Sequence, residues 1–337
     1  MFALSVVLAT SCWFKKWLDM RLERLRKIAL WRLIGPAVVI AAICWAGPAK
    51  VWAVLSGADF KLVFAAIALA IPLALIKGIR WQLLLHSYDV NLTFRDSCGM
   101  YAIGMVLSAV TPGRVGDLVK IVLLIKKGCS IGKAIASNIL DRIFDVAFVF
   151  LAGYGGMWYF SKHFASQLQV VNIVFVVFLV ALVALVVKRH LMKKIALKFV
   201  PKQYRQAAVD SWNEIVGGLM KNKFSRMFWL SFWTIIFWVV QFSALYLCAK
   251  AVAVEVSFIY FSACAAVGMI LSLLPVTVAG VGTRDAAYIL LLGQIGISQQ
   301  QSIAASTLVL GVFILNCVVF YAFSVIFSSN SVSVTKA

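Results

Sequence analysis

The sequence predicts an all-α integral membrane protein: about six transmembrane helices plus two re-entrant helical hairpins in an inverted-topology repeat. Three observations predict it. The 337 residues are 63% apolar and only 13% charged, with a mean hydropathy of +0.98, whereas a soluble chain carries about 25% charged residues. Apolar runs recur at the roughly 20-residue length that a bilayer-crossing helix needs. Basic residues gather in alternate loops between those runs, as the positive-inside rule describes.

The elements follow in chain order. Residues 1–27 read as an amphipathic cytoplasmic segment. Its first dozen residues are apolar but too short to span and lack the positive n-region of a signal peptide, and Met20 is an alternative start to Met1. Leu22, Leu25 and Ile28 fall on one helical face, Arg21 and Arg24 on another. Six spans follow at residues 28–47, 60–79, 134–160, 168–187, 227–249 and 301–327. Two further apolar stretches, 97–125 and 257–295, are interrupted near the middle. The first breaks at Thr111-Pro112-Gly113, with Gly116 beyond; the second breaks from Leu274-Pro275 through Gly280 and Gly282. Proline removes a helical donor and glycine admits unusual backbone. Such backbone survives at membrane depth only beside protein or a watery cavity.

Counting lysine and arginine orients the chain. Residues 15–32 hold seven, 188–226 ten, 126–133 three, Arg80 and Arg95 two, and the tail one, Lys336. Against these twenty-three stand four: Lys50, Lys61, Lys162 and Lys250. Both termini and the 188–226 loop are therefore expected in the cytoplasm. Arg95 and Lys126 then lie on one side, so 97–125 enters and returns there, and 257–295 does the same on the outside. Residues 28–160 become a first membrane repeat and 161–328 a second of opposite orientation, followed by a cytoplasmic tail at 329–337. Two kinked full spans, giving eight crossings, are the plainer alternative. Paired interrupted segments are the sequence mark of a transporter binding site.

Charged residues inside the membrane mark function by default. Arg114 and Asp117 flank the first break, with Lys120 one turn on, and Arg284 and Asp285 flank the second. Residues 141–145 read Asp141-Arg142-Ile143-Phe144-Asp145. Asp141 and Asp145 share a helix face, and Arg142 can pair with Asp145 three residues away. The four cations and four carboxylates cancel, so mutual neutralisation is one reading. The other is that Arg114 and Arg284 receive the phosphate of a lipid headgroup, since an arginine fork binds phosphate bidentately. Asp117 and Asp285 would then hold those arginines, and Arg142, Asp145, Asp141 and Lys120 would line the same cavity.

Other functions find little support. The seven cysteines are odd in number, never form Cys-x-x-Cys and lie mostly in apolar stretches, which fits buried thiols and not a disulfide framework or zinc site. The net charge of +20 comes without an aromatic-interleaved patch, so nucleic acid is not an expected partner. His86, His163 and His190 are dispersed, and no hydrolase, Walker or dinucleotide signature occurs. No metal or cofactor is expected, although Asp141 and Asp145 as metal ligands of a lipid-phosphate transferase form a second reading. A third is a non-catalytic subunit that docks a cytoplasmic enzyme on the basic 188–226 loop. That loop also suits an amphipathic helix on anionic lipid.

At these residues the chain resembles a known family. Pro112-Gly113-Arg114-x-Gly116-Asp117, then Ser130, Ala134 and Asp141-Arg142-x-x-Asp145, is similar to the first half of the lysylphosphatidylglycerol synthase transmembrane-region family, the flippase-like UPF0104 group. Leu274-Pro275, Gly280-x-Gly282 and Arg284-Asp285 resemble its second signature. The resemblance covers residues 28–328 and departs at Asp285, where the family commonly carries glutamate. It implies lipid translocation in a prokaryotic cytoplasmic membrane, with an anionic phospholipid or, as archaeal dolichol-phosphate relatives suggest, a polyprenyl phosphate as cargo. In such families a separate soluble domain performs lysyl transfer. Only about ten residues follow Phe327 here, so that activity is not expected of this chain.

Overall fold

The computed structural model describes residues 48–161, 224–272 and 282–327, with isolated positions at 44, 172, 173, 176, 209, 212 and 213. The expected spans at 28–47 and 168–187, almost all of the 188–226 loop, both terminal segments, and Pro275 and Gly280 lie outside the described residues. All regular structure among the described residues is helical. The helices are α1 (Pro48–Ser56), α2 (Phe60–Ala68), α3 (Ala70–His86), α4 (Phe94–Val110), α5 (Val119–Lys126), α6 (Ile131–Tyr159), α7 (Phe224–Ala251), α8 (Phe258–Ser272), α9 (Thr283–Gly293) and α10 (Gln299–Phe327); a 3-10 turn, Pro112–Leu118, joins α4 to α5.

Among the described residues, three runs are long and apolar enough to cross a bilayer: Phe60–His86, which joins α2 and α3, Ser225–Ala251 and Gln299–Phe327. At 29 residues, α6 is as long as α10, and it differs in carrying Asp141, Arg142 and Asp145. One boundary is corrected. The sequence reading ended the second span at residue 79 and left Arg80 as a loop charge. Helix α3 instead continues to His86 and Arg80 is only 1% exposed. A buried charge with paired carboxylates to meet it needs no loop.

In each interrupted segment, described residues from its two ends are in contact. Lys127, just past α5, pairs with Asp96 in the first turn of α4 at 2.7 Å. The Tyr260 hydroxyl near the start of α8 donates to the Leu291 carbonyl near the end of α9 at 2.7 Å. The first break is held by Thr111, whose hydroxyl donates to the Leu107 carbonyl at 2.8 Å and accepts the Gly116 N–H at 2.7 Å. Gly116 lies so close that a Cβ there would strike the Leu107 backbone. At the second break Gly282 has a φ of 90°, a conformation glycine adopts without strain.

The two halves repeat one another in local bonding. After α3 the Tyr88 N–H donates to Leu85, Asp89 to His86 and Val90 to Leu85; after α7 the same three bonds run from Val252 to Ala249, Ala253 to Lys250 and Val254 to Ala249. Asp89 and Ala253, 164 residues apart in the numbering, both have positive φ. Thr93 and Ser257 cap α4 and α8, and Ser130 and Ser298 cap α6 and α10. Packing is reciprocal too. Helix α4 lies against α10 while α8 lies against α6, and α3 and α7 meet each other. The main apolar core, including Phe237, Trp238, Phe261 and Tyr288, lies mostly in the second half. A second cluster around Trp81, Tyr101 and Leu124 lies in the first.

Candidate functional site

A charge inside a bilayer persists only where partners satisfy it, and the first half gathers seven. Lys77 and Arg80 lie three residues apart on α3, so both reach α6, where Asp141 and Asp145 share a face. Lys77 Nζ donates to both Asp145 oxygens, at 2.7 and 2.5 Å. One arm of Arg80 donates to Asp145 at 2.6 Å and to Thr234 of α7 at 3.1 Å; the other meets Asp141 in a very short contact. The Tyr101 hydroxyl donates to Asp141 at 2.7 Å, and Lys120 reaches Asp141 at 3.4 Å and Asp117 at 3.0 Å. Arg142 Nη2 lies 2.8 Å from Asp117. Lys120 also sits 4.0 Å from the centre of the Tyr101 ring, and Lys77 3.9 Å from that of Phe237, both within cation–π range.

Among the described residues, the second half contributes one pair. Arg284 Nη2 donates to Asp285 at 3.1 Å. The Asp285 carboxylate also accepts the Gly282 N–H at 2.8 Å and the Ser306 hydroxyl. The Arg284 Nε is buried without a hydrogen-bond partner among the described residues. Small residues let these side chains pass. A Cβ at Gly104 would meet Lys120 at 3.0 Å, and one at Gly268, 164 positions later, would meet Arg284 at 3.1 Å.

Between the halves lies a cavity of about 150 Å³. Lys77, Asp145, Asp117, Arg142 and Arg284 line it; Arg80, Lys120 and Asp141 stand behind them. Its lining pairs positions from the two halves: Leu73 with Phe237, Lys77 with Gln241, Met105 with Met269, and Ser108 with Ser272, each 164 apart. Most of the charge comes from the first half. Apolar groups of the second half, among them Phe237, Trp238, Leu245, Val309 and Phe313, complete the lining.

Two pairings differ from the sequence expectation. Arg142 bonds Asp117 and not Asp145, because Lys77 and Arg80 occupy both oxygens of Asp145. Asp117 was expected to hold Arg114, and it accepts from Arg142 and Lys120; the Arg114 side chain lies outside the described residues. Arg284 does meet Asp285. Lys77 and Arg80 were missed. Their signal was a basic pair spaced three apart at a span end, opposite two carboxylates in need of cations. Counting them turns the balance: among the described side chains around α6, four cations against three carboxylates leave +1, with Arg284 and Asp285 cancelling and Arg114 outside the sum. Both carboxylates proposed as metal ligands, Asp141 and Asp145, are engaged by cations throughout.

Helices of this length and polarity around a buried charged cavity define a multi-pass helical membrane protein. The chain belongs to the family described as the lysylphosphatidylglycerol synthase TM region, which it matches over residues 32–320. A UPF0104 membrane protein of Pyrococcus horikoshii is 33% identical to it over 118 residues, 34% of this chain and 35% of the relative. The alignment thus spans about a third of that relative's length.

Proposed function

We propose that this protein binds the phosphate headgroup of an anionic phospholipid or polyprenyl-phosphate lipid in the central cavity and carries it across a prokaryotic cytoplasmic membrane. The mixed charged and apolar lining of the cavity carries this reading. Its lining sets Lys77, Arg142 and Arg284 beside apolar side chains such as Leu245, Val309 and Phe313. An amphipathic lipid needs both. Arginine forks suit phosphate oxygens, and 150 Å³ is about five water volumes, the scale of a headgroup and not of a whole lipid. The family's name associates such regions with a lipid-modifying synthase, in keeping with a lipid cargo. Transport is favoured over transferase chemistry because cations occupy the carboxylates that a catalytic metal would need.

The alternating-access half of the proposal draws on the repeat. The matched caps, the reciprocal packing and the contact between the two ends of each interrupted segment support two re-entrant hairpins in inverted repeats over 28–160 and 161–328. In such transporters the site lies at the repeat interface. The loop bias supports cytoplasmic termini, and removing Arg80 from the count leaves that bias intact. A partner enzyme on the 188–226 loop remains compatible with this scheme.

Two experiments test the reading. Mass spectrometry of co-purifying lipid should show a phosphate-bearing species enriched over bulk membrane in wild type and returned to bulk level in Arg114→Ala and Arg284→Ala. Bulk composition in wild type would sink the headgroup site. Single cysteines at Arg95 and Lys126, in a chain otherwise cleared of cysteine, should both label from the cytoplasmic side. Labelling from opposite sides would establish a full crossing in place of the first hairpin.

A further inference from the structure

We propose that binding a lipid anion in this cavity takes up one proton on Lys77, so that lipid and proton move together. The ligand rests on the lipid reading above; the new content is the coupling ion and its stoichiometry.

Among the described residues, Lys77 is the one lysine in the cavity lining, with Asp145 on its ammonium and the Phe237 ring 3.9 Å away. The groups that face it come from every neighbouring helix. Arg80 lies on its own helix, and α6 brings Asp141 and Asp145. Helix α4 brings Tyr101, its ring 5.6 Å from Nζ, and Cys98 packed on Gly78. Helix α7 adds Thr234 on Arg80 and, in the lining, Phe237, Gln241 and Cys248, and α10 adds Asn316 and Cys317 to the lining. Asp117 and Lys120 lie beyond the carboxylates, and Arg284 across the cavity.

Arginine stays charged in proteins, while a buried lysine can exchange its proton. Take the proton from Lys77 and each carboxylate keeps a cation: Asp145 keeps Arg80, Asp141 keeps Arg80 and Lys120, and Asp117 keeps Lys120 and Arg142. Three cations then balance three carboxylates. Lys120 cannot play this part, since it bridges Asp117 and Asp141 behind the lining and is wholly buried. With Lys77 protonated the cluster carries +1, which one phosphodiester monoanion cancels. In the balanced step, the Lys77 amine and a proton give the ammonium, which donates to a phosphate oxygen; no bond of the lipid breaks. Counted over the described side chains, with Arg114 outside the sum, the empty deprotonated form and the loaded protonated form are both neutral. Those are the two forms that cross a low-dielectric membrane at least cost.

The test uses the full chain in detergent with dioctanoyl phosphatidylglycerol, whose phosphodiester has no proton of its own to exchange between about pH 6 and pH 9. Titration calorimetry in buffers of different ionisation enthalpy should show about one proton taken up per lipid at the alkaline end. Affinity should weaken about tenfold per pH unit there. Lys77→Arg should bind with no proton uptake and with affinity flat in pH. Competition by farnesyl phosphate distinguishes a polyprenyl phosphate from a phospholipid as the preferred source of the phosphate. Wild-type binding without proton uptake overturns the coupling and leaves the lipid reading standing, and continued uptake by Lys77→Arg overturns the assignment to Lys77. Failure of wild type to bind either probe at any pH removes the lipid reading and the coupling with it.

Discussion

Asp141→Ala should lower stability by roughly 3–5 kcal/mol, the cost of removing one partner from a buried ion pair. Asp141 is 1% exposed and receives Arg80, Lys120 and the Tyr101 hydroxyl. Its loss leaves two cations with Asp117 and Asp145 alone, and the surplus rises from +1 to +2 in a place water does not reach. The same carboxylate ties α3, α4, α5 and α6 together, so no single helix can move to relieve the imbalance. Asp141→Asn should fall between wild type and alanine, because its carbonyl oxygen still accepts a hydrogen bond while the charge is gone. The check is the temperature at which detergent-solubilised protein leaves the monodisperse peak on size exclusion. An alanine variant that melts with wild type would mean that the cluster does not hold the fold.

The architecture was more legible in the sequence than the pairing within the site. Span length and composition mark an apolar helix whatever it packs against, so the spans at 60–79, 227–249 and 301–327 fall within the apolar helical runs Phe60–His86, Ser225–Ala251 and Gln299–Phe327. Pro112 with Gly113 and Gly116 marked the first break because backbone chemistry is local. Partner choice is not local. Arg142 is three residues from Asp145 and 25 from Asp117, and spacing favours the near pair; the fold supplies Lys77 and Arg80 from 68 and 65 residues away. Arg80 was misplaced because a charge at the edge of an apolar run reads as the start of a loop. Two acidic residues on one face of α6 were the available warning, since buried carboxylates demand cations from some other helix. The apparent zero balance among eight charged groups hid that demand.

Arg142→Ala should have the opposite signature: stability close to wild type and lipid binding weakened roughly tenfold to a hundredfold. The side chain is 29% exposed, the most open among the ion pairs around α6, and it faces the cavity. Asp117 would keep Lys120 at 3.0 Å, so no carboxylate is stranded, and alanine suits a helix interior. What is lost is a forked donor to phosphate. Hydrogen bonds to charged groups contribute about 1.5–3 kcal/mol, which gives the stated range in Kd. Arg142→Lys should recover only part of it, because an ammonium cannot present two parallel donors. Calorimetry with dioctanoyl phosphatidylglycerol, read beside the thermal midpoint, decides the matter. Wild-type affinity in Arg142→Ala would mean that the fork at this position does not touch the headgroup. A large thermal loss instead would move Arg142 from the binding wall to the supporting layer that Asp141 anchors. The two substitutions lie one residue apart on one helix, so opposite outcomes would follow from which way each side chain faces and not from where it sits in the membrane.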